Sequence, residues 1–375
     1  MRKKRLFEAV ATLVGCVIGA GILGIPYVVA KAGFLTGVLN IVVIGLVMLL
    51  IHLYLGEVVL RTKGNHQLTG YAEKYTGKIG KYAMFISMIV GIYGAIIAYT
   101  LGGGAALASV FGGDSLLWSV IFFGFISWLI YIGLKAIEDS EAIIMPIIVL
   151  LVLFIFFLAL PRIKTGNLLE FSFTKLFLPY GVVLFAFLGN VAIPEMKEEL
   201  QKYKKDLKKA IILGSTLPIL IYIIFAFAVV GVLGTNTNEI GALGLAQILG
   251  EKMLFLGGLF ALFTLTTSYL AVGLALKELF WYDYRLRKNT AWLLACFVPF
   301  LLFLVVKLSG IATFTTVLNI TGIITGAIVS SLIMIMVLNA KKKGERKPEY
   351  SIYINKLIAV LLILLFIIGA INLLF

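Results

Sequence analysis

The sequence predicts an all-α integral membrane protein with eleven transmembrane helices. Three observations predict this class: the apolar composition, the long stretches without charge, and the distribution of the basic residues. Apolar residues make up 61% of the 375 residues and charged residues 13%, whereas soluble proteins average about 45–50% and about 25%. An ordinary soluble protein is therefore excluded.

Eleven stretches of 18 residues or more contain no Asp, Glu, Lys or Arg. A helix needs about 20 apolar residues to cross the hydrocarbon of a bilayer, so we interpret each stretch as one spanning helix. In chain order, the predicted spans cover residues 9–30, 32–56, 82–113, 115–134, 142–161, 176–194, 210–238, 253–276, 289–306, 308–340 and 357–375. The connections between them are too short for a separate soluble domain.

The basic residues predict the orientation. With the amino terminus in the cytoplasm, 26 of the 32 Lys and Arg residues lie on the inner side, which is the usual bias of membrane proteins. We expect a multi-pass protein of the plasma membrane whose carboxyl terminus, after eleven crossings, lies outside. This bias accounts for the net charge of +14, so the charge does not indicate nucleic-acid binding.

The first and sixth spans share a helix-breaking pattern. Residues 21–26 read Gly-Ile-Leu-Gly-Ile-Pro and residues 189–194 read Gly-Asn-Val-Ala-Ile-Pro. Five crossings separate the two copies, so they traverse the membrane in opposite directions, as in transporters with inverted repeats. We predict a five-helix repeat in residues 1–160, an inverted repeat in residues 161–340, and an inner loop with an eleventh helix in residues 341–375.

Breaks in these two helices predict the kind of ligand. Unwound amide and carbonyl groups must contact protein, water or a ligand, because each costs several kcal/mol in lipid. Amides at a helix amino end attract an anion, and free carbonyls attract a cation or an ammonium group. A site that offers both suits a zwitterion, which indicates an amino acid. The middles of spans one, three, six, eight and ten carry no charged residue, which favours a neutral substrate.

Four side chains near the breaks predict a largely apolar pocket with a few polar groups. Tyr93 lies near the middle of the third span, and Phe185, Phe187 and Asn190 surround the second break. Each aromatic residue is also consistent with simple packing.

The residues around both breaks resemble a known family. The run from Gly15 to Gly37 resembles the first helix of permeases in the amino acid/auxin permease family, part of the amino acid–polyamine–organocation superfamily that shares the LeuT fold. Residues 184–195 are similar to its sixth helix, and residues 64–73 are similar to its first inner loop. The resemblance implies a LeuT-like arrangement of five plus five inverted helices, with helices 1 and 6 discontinuous, and a symporter that imports amino acids.

The resemblance also implies roles for single residues. Amides around Ala20, Gly21 and Ile22 take the substrate carboxylate, and carbonyls around Ala186, Phe187 and Gly189 take the ammonium group. The complete predicted substrate site is Gly19, Ala20, Gly21, Ile22, Tyr93, Phe185, Ala186, Phe187, Gly189 and Asn190.

Sodium is one candidate coupling ion, and we expect no other cofactor. In sodium-coupled members of the fold, the cation lies between carbonyls that correspond to Gly15 and Ile18 and hydroxyls of the eighth helix. The candidates for these hydroxyls are Thr264, Thr267 and Ser268. Such hydroxyls also commonly bond their own helix backbone.

A proton is the competing candidate. Glu57 and Glu195 are candidate coupling or gate residues, since titratable groups in membrane helices are often functional. Glu57 forms an i,i+4 pair with Arg61, so an interfacial ion pair is an equal alternative. Glu195 begins a charged inner segment and is also consistent with simple solvation. His52 lies deeper, but a lone His is more often a packing residue than a proton relay.

The predicted function is alternating-access import of a neutral, apolar or aromatic amino acid, driven by sodium or a proton. A membrane sensor that binds an amino acid and a passive solute channel are the alternatives. An enzyme is not expected, because the chain has two His residues and neither an H-E-x-x-H nor a G-x-S-x-G motif. The sequence leaves the oligomeric state open.

Overall fold

The structure is a computed structural model that describes residues 1–133 and 141–371, and the side chains of residues 141–144, 282 and 283 lie outside that description. The described part is helical. Its α-helices are α1 Arg2–Val17, α2 Gly21–Ala32, α3 Phe34–Arg61, α4 Leu68–Phe111, α5 Ser115–Ile132, α6 Glu141–Ala159, α7 Tyr180–Ala186, α8 Ala192–Glu199, α9 Leu207–Leu233, α10 Gly241–Gly244, α11 Ala246–Leu249, α12 Glu251–Glu278, α13 Lys288–Trp292, α14 Val298–Ser309, α15 Phe314–Lys343 and α16 Lys356–Ile371. Two five-residue π-helical segments, Leu279–Asp283 and Leu293–Phe297, follow α12 and α13.

The described residues contain eight helical segments long and apolar enough to cross a membrane, or nine if α1 and α2 form one bent span. The predicted sixth span corresponds to two short helices, α7 and α8, and the eleventh to the 16-residue α16, so these fall below the length of a full span. Residue 134 of the fourth predicted span and residues 372–375 of the eleventh lie outside the described residues. The helical membrane class is confirmed, and the count of eleven stays a prediction.

The third helix begins much earlier than its apolar stretch indicates. α4 starts at Leu68 and bends at Gly77, where φ is +77°. Before the bend, the buried residues are Leu68, Tyr71, Ala72 and Tyr75. Their spacing is that of one helix face. A short amphipathic helix therefore precedes the spanning segment, and glycine permits the positive φ that joins them.

The burial of the long helices distinguishes the centre of the bundle from its periphery. The most apolar part of the segment that contains α9 is 72% buried, whereas that of α5 is 28% buried. α9 contacts α1, α2, α3 and α6, and α15 contacts α4, α7 and α16. The broken helices therefore pack against the central helices α9 and α15, away from the lipid-facing side of α5.

Candidate functional site

The first break separates α1 from α2. α1 ends at Val17, and α2 begins at Gly21. The amide of Ile18 donates to the last turn of α1, and that of Gly19 donates to the Val17 carbonyl at 2.9 Å. Within the described residues, the amides of Ala20 and Gly21 make no backbone hydrogen bond. Two amides at the amino end of α2 are therefore available to an anionic group.

The second break separates α7 from α8, which end and begin at Ala186 and Ala192. In the described chain, the amides of Gly189, Asn190 and Val191 form no backbone hydrogen bond. The Asn190 side chain is buried, and its Oδ1 atom has no hydrogen-bond partner. This break therefore also offers unpaired polar groups inside the bundle.

The two breaks lie directly against each other. A Cβ atom placed on Gly21 would lie 2.5 Å from the Cβ atom of Ala186 and 2.6 Å from its Cα atom. A Cβ atom on Gly189 would lie 2.6 Å from Cγ2 of Val17. Both distances are shorter than van der Waals contact, so glycine at 21 and 189 is what lets the breaks touch.

Tyr222 of α9 connects both breaks, and the sequence analysis missed it. Its buried hydroxyl lies 2.7 Å from the carbonyl oxygen of Val17 and 2.8 Å from that of Ala186. One hydroxyl proton is thus shared between the last carbonyls of α1 and α7. Its ring packs edge-on against Phe187, with centroids 5.1 Å apart. A tyrosine in the middle of an apolar span was the only sequence signal for this role.

The predicted ammonium-binding carbonyls differ in their availability. The Ala186 carbonyl accepts from Tyr222, and the Gly189 carbonyl accepts from the amide of Ala192 at 3.1 Å. The Phe187 carbonyl receives no backbone hydrogen bond from the described residues. Phe187 is therefore the strongest of the three candidates.

The predicted aromatic pocket is brought together only in part. Phe187 lies at the second break, but the Tyr93 hydroxyl donates to the Leu294 carbonyl at 2.8 Å. None of the hydrogen bonds or ring contacts of the described residues joins Tyr93 to either break. Phe185 packs on Gly322 of α15. Tyr99, which sequence reasoning passed over, is buried, and its hydroxyl lies 3.9 Å from a Cβ atom placed on Gly19.

The candidate sodium site has a suitable set of oxygen atoms. The carbonyls of Gly15 and Ile18 accept no backbone hydrogen bond in the described chain, and Ser268 Oγ lies 2.7 Å from a Cβ atom placed on Gly19. Thr264 and Thr267 instead donate to carbonyls one turn earlier in α12, at 2.7 and 3.0 Å. Their lone pairs remain able to contact a hard cation. These oxygen atoms are of the kind that an alkali cation binds, and the sodium site stays a prediction.

Comparison with known proteins identifies the family. A sequence model of the tryptophan/tyrosine permease family matches residues 2–373, almost the entire chain. The chain belongs to the tryptophan/tyrosine permease family. This permease is therefore an amino acid transporter of the membrane and not an enzyme, and the matches do not support the narrower assignment to the amino acid/auxin permease family.

Two curated relatives are amino acid transporters. The permease is 30% identical over 287 residues to "Tyrosine-specific transport system 1" of Haemophilus influenzae, a match that covers 70% of each chain. It is 25% identical over 286 residues to "Glutamine transporter 2" of Aliivibrio fischeri, which covers 72% of this chain and 74% of that protein.

Two solved structures share the fold. MhsT in complex with L-phenylalanine has a TM-score of 0.70 and 16% identity, with 97% of this chain and 98% of that chain covered. MHP1, a nucleobase-cation-symport-1 family transporter in a closed conformation, has a TM-score of 0.63 and 14% identity, with 88% and 77% covered. The permease therefore has the LeuT fold, as the resemblance implied.

Glu57 lies in an ion-pair network rather than at the breaks. It is fully buried and contacts Arg61 and Lys341 at 2.8 Å each. Ser351 and the amide of Ile352 also donate to it at 2.8 Å. The interfacial ion pair that the sequence offered as an alternative is thus present, and the network ties α3 to α15 and to the following loop.

Tyr350, in the same loop, strengthens that attachment. Its hydroxyl donates to the Leu53 carbonyl at 2.8 Å. Burial raises the pKa of Tyr350 well above its ordinary value, so its hydroxyl stays protonated and remains a donor. Glu195, the second candidate coupling residue, is exposed in the first turn of α8.

Polar contacts connect α1 and α8 to each other and to neighbouring loops. They lie at the end of the bundle that the charge distribution predicts to be cytoplasmic. Arg2 forms a two-pronged pair with Asp206, with both distances 2.6 Å. Thr12 of α1 donates to Glu199 of α8 at 2.7 Å. Lys197 of α8 is buried and donates to the Gly64 carbonyl at 2.5 Å. These contacts close this end of the bundle around α1.

Proposed function

We propose that this permease imports a neutral amino acid, apolar or aromatic, by alternating access, coupled to sodium or a proton. The contact between the two breaks carries the proposal. Gly21 meets Ala186 there, and unpaired amides from both breaks lie in the interior of the bundle. A transporter site at the meeting point of two broken helices suits the opposite charges of a zwitterion.

The charge of the site supports a neutral substrate. Residues 15–22 and 185–193 contain no Asp, Glu, Lys or Arg. A charged substrate side chain would need a counter-charge in the interior of the bundle, where desolvation is costly. The nearby aromatic rings of Phe187, Tyr99 and Tyr222 favour an apolar or aromatic side chain.

The relatives support the same substrate class. Two curated relatives are named as tyrosine-specific transport systems, and a third as a glutamine transporter, all of them for uncharged amino acids. The solved structure of MhsT contains L-phenylalanine. We extend this substrate class to the permease as a proposal.

The proposed topology is eleven spans, with α7 and α8 as the sixth and α16 as part of the eleventh. The first and sixth spans begin the two inverted repeats, and the amino terminus lies in the cytoplasm. The contact of Gly21 with Ala186 joins one break from each proposed repeat, and this supports the inverted arrangement. A cytoplasmic amino terminus agrees with the excess of Lys and Arg on that side.

Uptake into proteoliposomes tests the proposal. Purified permease is reconstituted and offered each neutral amino acid in counterflow, which needs no ion gradient, and then with an imposed sodium or proton gradient. We expect saturable counterflow of at least one apolar or aromatic amino acid and stimulation by one gradient. Absence of counterflow for every neutral amino acid, with correctly folded protein, would refute the proposed function.

A further inference from the structure

His52 is a buried titratable side chain that lies against the second break. It lies in α3 and is 1% exposed. Its ring atom Nδ1 lies 3.0 Å from the hydroxyl oxygen of Ser215 in α9. Its Cε1 atom lies 3.5 Å from a Cβ atom placed on Gly189. The ring is thus fixed on one side by α9 and lies against the unwound segment on the other.

The second ring nitrogen of His52 has no partner. Nε2 is buried and makes no hydrogen bond within the described residues. Buried polar atoms are nearly always paired, and an exception in a functional protein calls for an explanation. A ring nitrogen that bears a lone pair can act as a proton-binding site, because it accepts a proton and then becomes a hydrogen-bond donor.

The second break, against which the His52 ring lies, offers groups suited to this change. The second break leaves backbone groups without helical partners, and the Phe187 carbonyl is one of them. Free carbonyls of an unwound helix attract cations, so they can stabilise a protonated ring when the break rearranges. Histidine is also the side chain whose unperturbed charge changes near neutral pH.

Other titratable groups on the surrounding elements do not occupy either ring nitrogen, since the hydrogen bond with Ser215 is the one contact of the His52 nitrogens in the described chain. These groups are Tyr54, Glu57 and Arg61 on α3; Lys208, Lys209 and Tyr222 on α9; Lys341, Lys342 and Lys343 on α15; Tyr27 and Lys31 on α2; Tyr180 on α7; Glu195, Lys197, Glu198 and Glu199 on α8; Arg2, Lys3, Lys4, Arg5, Glu8 and Cys16 on α1; and Tyr350 in the loop after α15, whose hydroxyl donates to the Leu53 carbonyl. Glu57, the nearest acidic group along α3, is held by Arg61 and Lys341.

We propose that His52 is the proton-binding site through which this permease couples proton entry to amino acid transport. The inference rests on the proposed transport function and selects the proton over sodium. We assign the tautomer in which Nδ1–H donates to the Ser215 hydroxyl oxygen, 3.0 Å away, so that Nε2 carries the lone pair. When water reaches the second break from outside, a hydronium ion gives its proton to Nε2: its O–H bond breaks, the Nε2–H bond forms, and a neutral water molecule is left.

Release completes the cycle without any other reactant. When the break opens to the inside, the Nε2–H bond breaks and the proton passes to water there, which restores the neutral ring. Since the ring lies against Gly189, its charge acts directly on the helix pair whose movement opens and closes the site. In this structure the His52 ring is buried, and such an environment disfavours a charge.

The test separates coupling from transport. His52→Gln keeps a polar side chain beside Ser215 but does not titrate. His66→Gln is the matched control, because His66 is the other histidine of the chain and lies in the loop before α4. Each protein is reconstituted in sodium-free buffer with radiolabelled L-tyrosine. Counterflow is measured without a gradient, and accumulation is measured with the outside made acidic.

We expect wild type and His66→Gln to show both activities, whereas His52→Gln retains counterflow and loses the gradient-driven accumulation. Accumulation by His52→Gln equal to wild type would overturn the proposal and leave the transport function intact. A wild-type protein that accumulates substrate with sodium but ignores the proton gradient would also overturn it. Absence of wild-type counterflow for tyrosine and every other neutral amino acid would instead refute the proposed function.

A second variant decides the question if His52→Gln does not fold. Ser215→Ala keeps the imidazole ring but removes the hydroxyl that lies 3.0 Å from Nδ1, which is the acceptor of Nδ1–H in the proposed tautomer. The protonated ring then loses a stabilising hydrogen bond, so we expect the pH dependence of accumulation to move to more acidic pH. An unchanged profile would overturn the proposal, because a packing role for His52 predicts no shift.

Discussion

The Tyr222 hydroxyl lies 2.8 Å from the carbonyl oxygen of Ala186. This contact places a side chain of the central helix α9 at the end of α7, where the second break begins. The same hydroxyl lies 2.7 Å from the Val17 carbonyl at the end of α1. A single hydroxyl therefore holds together the carboxyl ends of both half-helices and sets their spacing around the proposed site.

Tyr222→Phe is expected to loosen both breaks. The change keeps the ring and its packing against Phe187 but leaves the Ala186 carbonyl without a donor among the described residues. A buried unpaired polar group costs about 1–3 kcal/mol, so melting temperature and substrate affinity should both fall. Thermal melting with and without L-tyrosine measures both. Tyr82→Phe is the control, because Tyr82 is 60% exposed. A melting temperature and an affinity of Tyr222→Phe equal to those of the wild type would contradict the role of the Tyr222 hydroxyl in holding the breaks.

Gly21→Ala is expected to separate the breaks and impair binding. The added Cβ atom would overlap both Cβ and Cα of Ala186, so the two segments must move apart. Overpacking of this kind costs about 1–3 kcal/mol, which corresponds to binding weaker by about 5- to 150-fold if the bound state bears the cost. Gly124→Ala in α5 is the matched control, because a Cβ atom there meets nothing within 4 Å. Equal affinities of the two variants in a binding assay would refute the importance of the contact.

Glu57→Gln is expected to lower the stability of the folded permease without affecting coupling. Arg61 and Lys341 would lose a carboxylate that both contact at 2.8 Å, in a fully buried position. Removing one partner of a buried ion pair costs about 3–5 kcal/mol. We expect a clearly lower melting temperature but a normal response to the coupling gradient in the protein that remains folded. The control is Glu345→Gln, whose pair with Lys74 is partly exposed and worth about 1 kcal/mol or less. An unchanged melting temperature with lost coupling would assign Glu57 to the gate instead.

Some features of the site could be predicted from the sequence because they depend on local rules. Glycine and proline weaken a helix, and matching Gly/Pro clusters in the first and sixth spans therefore indicate the breaks near Gly21 and Gly189, although single prolines such as Pro146 and Pro218 lie inside continuous helices. The candidate oxygen atoms of Gly15 and Ile18, by contrast, follow from the resemblance to sodium-coupled members of the fold. The start of α4 was not visible, since its first turns are amphipathic rather than uniformly apolar.

Other features depend on contacts between distant parts of the chain. Tyr222 resembles an ordinary packing residue until α9 is placed between both breaks, and no local pattern indicates that its hydroxyl meets Val17 and Ala186. The partners of Glu57 in the loop after α15 are about 295 residues away along the chain. The third such contact is that of His52 with Gly189. The sequence favoured a packing role for His52, whereas this contact makes it a candidate coupling residue.

The contacts around α1 predict how the inner end opens. Arg2 pairs with Asp206, and Thr12 donates to Glu199, so α1 must lose both contacts before it can swing away. Combining Asp206→Asn with Thr12→Val should therefore favour the open form. Cys16 of α1 is half-buried and reports this change when Cys296 is replaced by Ala. We expect a membrane-permeant thiol reagent to label Cys16 several-fold faster in the double variant.

Labelling of Cys16 after Glu170→Gln provides the comparison, because the Glu170–Lys175 pair lies at the opposite end of the bundle and is about half exposed. Loss of that pair should leave the labelling rate near the Cys296→Ala background, since an exposed ion pair contributes little. The effect is then specific to the contacts that hold α1. If the double variant labelled no faster than this comparison, the polar contacts of Arg2 and Thr12 would not restrain the inner end, and opening would have to be limited by the packing of α1 against α9.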